Sequence, residues 1–354
     1  DGGFRDDRGA VHLPAMGVNC PPRLSRRENS ATSVCTKRLI SLTMQESVQF
    51  PDGQRCSVRT TDQTTDTLPA SHQTAARRLA ADQHIVDTLI AERGKLVMAS
   101  PWWPVIKPVA HKILRYRSAV DMADTIAHME ALDVFAHLSD LLTLDVTTRG
   151  LERVPEKGPV VLVSNHPTGI ADGIVLYDAI KPRRDDLSIF ANRDAIRINP
   201  RLAEMIVPVE WRADFKSRQK SKETLKLASS AFSKERVVVL FPSGRLAYWS
   251  DGRLTERPWM TSALALARKN KAPIIPMHMG GRNSGLFYFL ARVSTELRDM
   301  TVFNELLNKR NARFSVHFGK PIRPERLEGD LGELTEQMRV HCAETLAEDP
   351  DAEF

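Results

Sequence analysis

Four cysteines in 354 residues, Cys20, Cys35, Cys56 and Cys342, exclude a disulfide framework, and none belongs to a CxxC pair, so a zinc site is not expected either. A reduced compartment is the default reading. No run of about 18 apolar residues is present, so no spanning helix is expected. The first residues lack the compact apolar stretch of a secretory signal; the chain opens on Asp1, and Met44 is the expected native start. Neither GxxxxGK[ST] nor GxGxxG occurs, which removes the simplest nucleotide-binding assignments, and no GxSxG marks a serine-hydrolase elbow. Charge of one sign is also scarce: 50 Lys+Arg against 44 Asp+Glu give a formal charge of +6. That excess suits a membrane surface or a phosphate without selecting one, and no nucleic-acid motif accompanies it.

What is present falls into three stretches. Residues 1–75 are rich in Asp, Arg, Ser, Thr and Gly. They offer too little apolar surface to offset the entropy of ordering and read as a disordered tail. Residues 76–150 read as helical: "AARRLAADQHIVDTLIAERGKLV" carries Leu79, Ile85, Leu89 and Ile90 at helical spacing, and "ADTIAHMEALDVFAHLSDLL" keeps the period through Ile126, Met129, Leu132, Phe135 and Leu138. Between them, Trp102 and Trp103 stand beside prolines and precede Lys107, Lys112, Arg115 and Arg117 among Val, Ile and Leu. Indoles and cations on an amphipathic segment suit the water–lipid interface; an ordinary helix with lysines on its wet face fits the same residues.

From 151 to about 348 strands of continuous Val, Ile and Leu alternate with helices, as in "GPVVLVSN", "LSIFAN", "RVVVLFPSG" and "APIIPMHM". This predicts an α/β domain, a mostly parallel central sheet flanked by helices. A serine cap is expected at Ser221 for the helix in "SKETLKLASSAFSKE", and a closing helix over 329–347. In such folds the reactive groups collect beyond the carboxyl ends of the strands. After "VVLVSN" come Asn165, His166 and Asp172. Histidine can act as a general base near neutrality and a carboxylate can orient it, while Asp172 equally well caps the next helix; both readings stand. After "VVVLFP" the turn Ser243-Gly244-Arg245 offers backbone N–H groups and one guanidinium, suited to an anion. Gly280, Gly281, Arg282 and Asn283 follow "PIIPMHM", and Arg193 and Arg197 follow "LSIF", as substrate contacts or as turn and surface residues.

In this order, "NHPTGIAD", "ANRDAIRINP", "LFPSGR" and "APIIPMHMGGRNS" resemble the motifs of glycerolipid acyltransferases of the lysophosphatidic acid acyltransferase type, over roughly residues 150–320. The spacing within "NHPTGIAD", with five residues between His166 and Asp172 rather than four, and Ser243 in place of the third motif's glutamate, are more similar to the hemolysin-like and ornithine-lipid acyltransferase subgroup. The resemblance implies a bacterial enzyme of phospholipid biosynthesis. It would act on the cytoplasmic face of an anionic membrane, bound peripherally, with acyl-CoA or acyl-carrier protein as co-substrate and no metal or other cofactor. His166 would be the general base and Asp172 its partner; Asn165, Arg193, Ser243, Gly244, Arg245, Arg282 and Asn283 would bind substrate. The implied acceptor is the hydroxyl of a lysophospholipid such as 1-acylglycerol-3-phosphate, with a lyso-aminolipid such as lyso-ornithine lipid as the alternative. A serine hydrolase or thioesterase acting through Ser243 and an inactive lipid-binding protein are the alternatives of a different class.

Overall fold

A computed structural model describes residues 83–210 and 217–354, all within one compact unit spanning Leu68–Phe354. The expected tail, the helix start around Leu79, the cysteines 20, 35 and 56, and the first five residues of the basic run "RADFKSRQKSKE" lie outside the described residues.

Among the described residues five helices precede the sheet: α1 Ile85–Arg93, α2 Lys95–Met98, α3 Trp103–Ile113, α4 Tyr116–Ile126 and α5 Ala131–Leu142. The continuous helix expected across residues 123–142 is divided between α4 and α5. Asn199 causes the break: its Nδ2 donates to the carbonyls of Ile126 and Met129 at 2.7 and 2.8 Å, satisfying the carbonyls the chain leaves open between the two helices. Leu89 and Ile90 of α1, Met122 of α4 and Phe135 of α5 enter the same core as the sheet.

The sheet has seven strands in the order β1-β9-β8-β2-β5-β3-β4, with β1 Asp145–Arg149, β2 Val160–Ser164, β3 Leu187–Asn192, β4 Ile206–Val209, β5 Val237–Leu240, β8 Ile274–Gly280 and β9 Arg313–Phe318. β8, β2, β5, β3 and β4 run parallel, while β9 pairs antiparallel with β8 and carries β1 with it. All of β2 is buried because it is central and covered on both faces, as its unbroken Val-Val-Leu-Val run requires. Alternate residues serve the two faces: Val160, Leu162, Val237 and Val239 pack toward α6 Ile170–Ile180, and Val161, Val163, Val238 and Leu240 toward α8 Arg218–Ser233 and α9 Ser262–Asn270, while the short α7 Asp194–Ile198 follows β3.

Three features differ from the sequence reading. The cap of α8 is Ser217, which accepts from Lys220 N, so the helix begins before Ser221. Its side chain reaches the open N–H groups of the first turn, whereas the expected cap, Ser221, lies one turn inside. An antiparallel hairpin, β6 Tyr248–Ser250 and β7 Arg253–Thr255, fills what reads as a loop. Three helices, α10 Gly285–Val293, α11 Thr295–Met300 and α12 Val302–Leu307, separate β8 from β9. The closing helix α13 Leu331–Val340 runs into a π-helical turn at His341–Thr345, which buries Cys342 against β2.

Candidate active site

Because β2, β5, β8 and β3 are parallel, their carboxyl ends deliver four loops to one edge of the sheet. His166 lies two residues beyond β2. Gly169 then turns the chain into α6 with φ +90°, and a Cβ there would stand 3.1 Å from the Leu246 side chain, so the tight turn and the close approach both favour glycine. That turn brings Asp172 back to the histidine: His166 Nδ1 and Asp172 Oδ2 are 2.8 Å apart, with Asp172 fully buried and the His166 side chain 19% exposed. The extra residue between them therefore does not separate the pair. Asp172 also accepts from the N–H groups of Thr168 and Gly169, each at 3.0 Å, and from the Thr168 hydroxyl. The cap position itself is Gly169, because the helix starts at Ile170; Asp172, expected as the cap, stands at the third helical position and reaches back to the Gly169 N–H while it holds the histidine.

The loop after β5 forms the wall of the site. Phe241 stacks on the His166 ring with centroids 4.3 Å apart and an interplanar angle of 24°. Gly244 takes φ +60° in the turn. The Ser243 hydroxyl donates to the Arg245 carbonyl at 2.7 Å and has no histidine partner among the described residues. Arg245 is exposed and makes no ion pair among the described residues. Arg282, after β8, is exposed as well.

Other expected contacts are engaged within the protein. Asn165 extends the β2–β8 ladder by a side chain: its Oδ1 accepts from Met279 N at 2.7 Å and its Nδ2 donates to Met279 O at 2.9 Å. It fixes the loop to the neighbouring strand. Arg193 forms an ion pair with Glu223 at 2.7 Å, and Arg197 pairs with Glu92 at 2.6 Å, joining the loop after β3 to α1. Asn283 is buried beside the histidine loop, its Nδ2 3.5 Å from the Pro167 carbonyl.

Several residues of the site went unread in the sequence. Glu305 of α12 accepts from Ser284 N at 2.8 Å, from Ser284 Oγ at 2.6 Å and from Lys309 at 3.1 Å, anchoring the loop after β8 from behind. Burial works against its ionisation, but the Ser284 and Lys309 bonds outweigh it and hold the carboxyl below its usual range. Burial conversely lowers Lys309, opposed by Glu305. The Tyr288 hydroxyl accepts from Asn283 N at 3.1 Å, and burial pushes its pKa up. Glu256, after β7, is buried against the His166 main chain. Tyr288 ends the stretch "HMGGRNSGLFY", whereas Glu256 and Glu305 lie in no motif and reach the site only through the fold.

Residues 145–280 match the family model described as Acyltransferase. A lyso-glycine lipid O-acyltransferase of Bacteroides thetaiotaomicron is 26% identical over 239 residues, covering 62% of this chain and 86% of that protein. A lyso-glycine lipid O-acyltransferase of Phocaeicola vulgatus is 27% identical over 240 residues, covering 62% of this chain and 84% of its own. Among solved structures, the 1-acyl-sn-glycerophosphate (LPA) acyltransferase PlsC of Thermotoga maritima is 15% identical with a TM-score of 0.39, covering 70% of this chain and 95% of that one.

Proposed function

We propose that this chain, an acyltransferase of the glycerolipid and lysolipid type, transfers a fatty acyl group from acyl-CoA or an acyl-carrier protein to the hydroxyl of a lyso-aminolipid. The observation that carries the reading is the 2.8 Å contact between His166 Nδ1 and the buried Asp172 carboxylate. It fixes the tautomer in which Nε2 is the basic nitrogen, and Nε2 makes no hydrogen bond among the described residues.

In the proposed reaction the lysolipid hydroxyl gives its proton to His166 Nε2 as its oxygen attacks the thioester carbonyl. The tetrahedral intermediate collapses with loss of the thiolate, which takes the proton back from the imidazolium; an ester forms and a free thiol departs. Asp172 stabilises the imidazolium between the two proton transfers. Base assistance of this kind is worth about 100- to 10,000-fold. Arg245 and Arg282, exposed at the same edge, hold the anionic group of the acceptor or donor. Asn165 and Arg193 support the loops rather than the substrate.

A lyso-aminolipid is placed ahead of 1-acylglycerol-3-phosphate, reversing the order read from sequence, because both curated relatives are named for a lyso-glycine lipid and the turn after β5 carries Ser243. Peripheral contact with the cytoplasmic face of an anionic membrane belongs to the same proposal. It is supported by α3, where Trp102, Val105, Ile106, Val109 and Ile113 recur at helical spacing, are all exposed, and are flanked by Lys112. No described helix is long and apolar enough to cross a membrane.

The test is an assay of purified enzyme with labelled acyl donor against lyso-glycine lipid, lyso-ornithine lipid and lysophosphatidate. The expected result is turnover of a lyso-aminolipid at least about tenfold above lysophosphatidate, abolished in His166→Ala. Preference for lysophosphatidate would overturn the acceptor, and full activity of His166→Ala would overturn the mechanism.

A further inference from the structure

We propose that Glu256 is a positioning residue for this reaction: its buried carboxylate holds the main chain of His166 and thereby sets the aim of the imidazole. The inference rests on the reading of His166 as the base.

Glu256 stands 90 positions along the chain from His166, just beyond the hairpin β6–β7, yet its Oε2 accepts the His166 N–H at 3.2 Å. The other oxygen, Oε1, accepts from Trp259 Nε1 at 3.2 Å. The same stretch of chain grips the histidine at two further points. Ala247 N donates to the His166 carbonyl at 2.9 Å, and Phe241 lies flat on the ring at 4.3 Å. Backbone donor, backbone acceptor and ring are thus each held by residues between Phe241 and Glu256. The fixed backbone and the Nδ1 bond to Asp172 together leave the imidazole one direction in which to present Nε2.

A carboxylate is an expensive way to fill such a place. Glu256 is only 6% exposed and makes no ion pair within 4 Å among the described residues. Burial pushes its carboxyl up, opposed only in part by hydrogen bonds from Ser243, His166 N–H and Trp259. An aliphatic residue of similar length would avoid that cost but would leave the His166 and Trp259 donors without acceptors. The Ser243 hydroxyl, shared between this carboxylate and the Arg245 carbonyl, links the same group to the turn that presents Arg245. The arrangement makes physical sense if the location of the His166 main chain is what the carboxylate secures, since misplacement of a base by about 1 Å can cost about 100-fold in rate.

The experiment compares Glu256→Leu, Glu256→Gln and Trp259→Phe with the parent enzyme, by steady-state kinetics on the lysolipid acceptor and by NMR of the His166 ring, assigned with His166→Ala. Glu256→Leu is expected to lower kcat by about 100-fold with both KM values within about threefold, and to shift the His166 ring signals. Glu256→Gln recovers to within about tenfold, because its amide oxygen still accepts the His166 N–H. Trp259→Phe, which removes only the second donor, stays within about threefold. The proposal is overturned if Glu256→Leu retains kcat, if Trp259→Phe loses as much as Glu256→Leu, or if the ring signals do not move. Should Glu256→Leu fail to fold, Glu256→Met, unbranched and without a carbonyl oxygen to accept the His166 N–H, takes its place: the same loss of kcat is expected, and unchanged kcat with unchanged ring signals overturns the proposal equally. A parent enzyme inactive with every donor would sink the acyl-transfer reading instead, and the ring signals alone would then decide whether Glu256 positions His166.

Discussion

Replacing Asp172 by asparagine separates the two tasks of this carboxylate. Oδ2 receives three N–H groups, from His166 Nδ1, Thr168 and Gly169, and Oδ1 receives the Thr168 hydroxyl. An asparagine can set its amide oxygen at the Oδ2 position and turn its NH2 toward the Thr168 oxygen, which can accept. The cap and the His166 tautomer survive, and what disappears is the negative charge facing the imidazolium. Two unit charges about 4 Å apart interact by roughly 4 kcal/mol at an effective dielectric near 20. Solvent reaching His166, whose side chain is 19% exposed, reduces this to about 2–4 kcal/mol. The expected loss in kcat is therefore about 30- to 1000-fold, with the melting temperature near that of the parent. Asp172→Ala also strands buried donors and should cost about 2 kcal/mol or more of stability besides. Kinetics and thermal melts of the two variants side by side make the assay. If Asp172→Asn keeps kcat within about threefold while remaining folded, the carboxylate is a helix cap alone and the electrostatic reasoning fails.

Two further outcomes can be checked on the same protein. The Glu305 carboxyl sits below its ordinary value of 4.5 despite the opposing effect of burial, so it contributes stability above that pH which is lost as pH falls through its lower, folded-state value. Melting temperature should fall on acidification below about 4.5, and Glu305→Gln should flatten that part of the profile; an unchanged slope in the variant would show that other groups carry it. On α3, no residue is buried, so Val105→Asp with Val109→Asp should leave the melting temperature within about 2 °C of the parent while lowering co-sedimentation with phosphatidylglycerol vesicles about tenfold or more. Equal vesicle binding by the double variant would remove α3 from the proposed membrane contact.

The fold class was readable because the signal is local. Val160–Val163 and Val237–Leu240 are unbroken apolar runs, and only a strand covered on both faces accommodates them among helices. The hairpin β6–β7 carries no such run, since Tyr248, Trp249 and Arg253 are exposed, and its pairing rests on a turn at Asp251-Gly252. The helices between β8 and β9, and the reversed direction of β9, depend on what packs against them rather than on their own periodicity. The split between α4 and α5 likewise depends on Asn199, a residue some 70 positions away.

At the site, the sequence by itself determined which residue types stand at the strand ends: a histidine and an aspartate after β2, and arginines after β5 and β8. It also determined that Gly169 permits a left-handed turn between them. Only the tertiary structure decided what each group does with its hydrogen bonds. It joins His166 to Asp172, occupies Asn165 with the main chain of Met279 and Arg193 with Glu223, and leaves Arg245 exposed. It also brings Glu256 and Glu305 to the site from distant segments. The physical reason is range: propensity, capping and turn chemistry act over a few residues, whereas the partners of a buried polar group are chosen by packing between elements far apart in the chain.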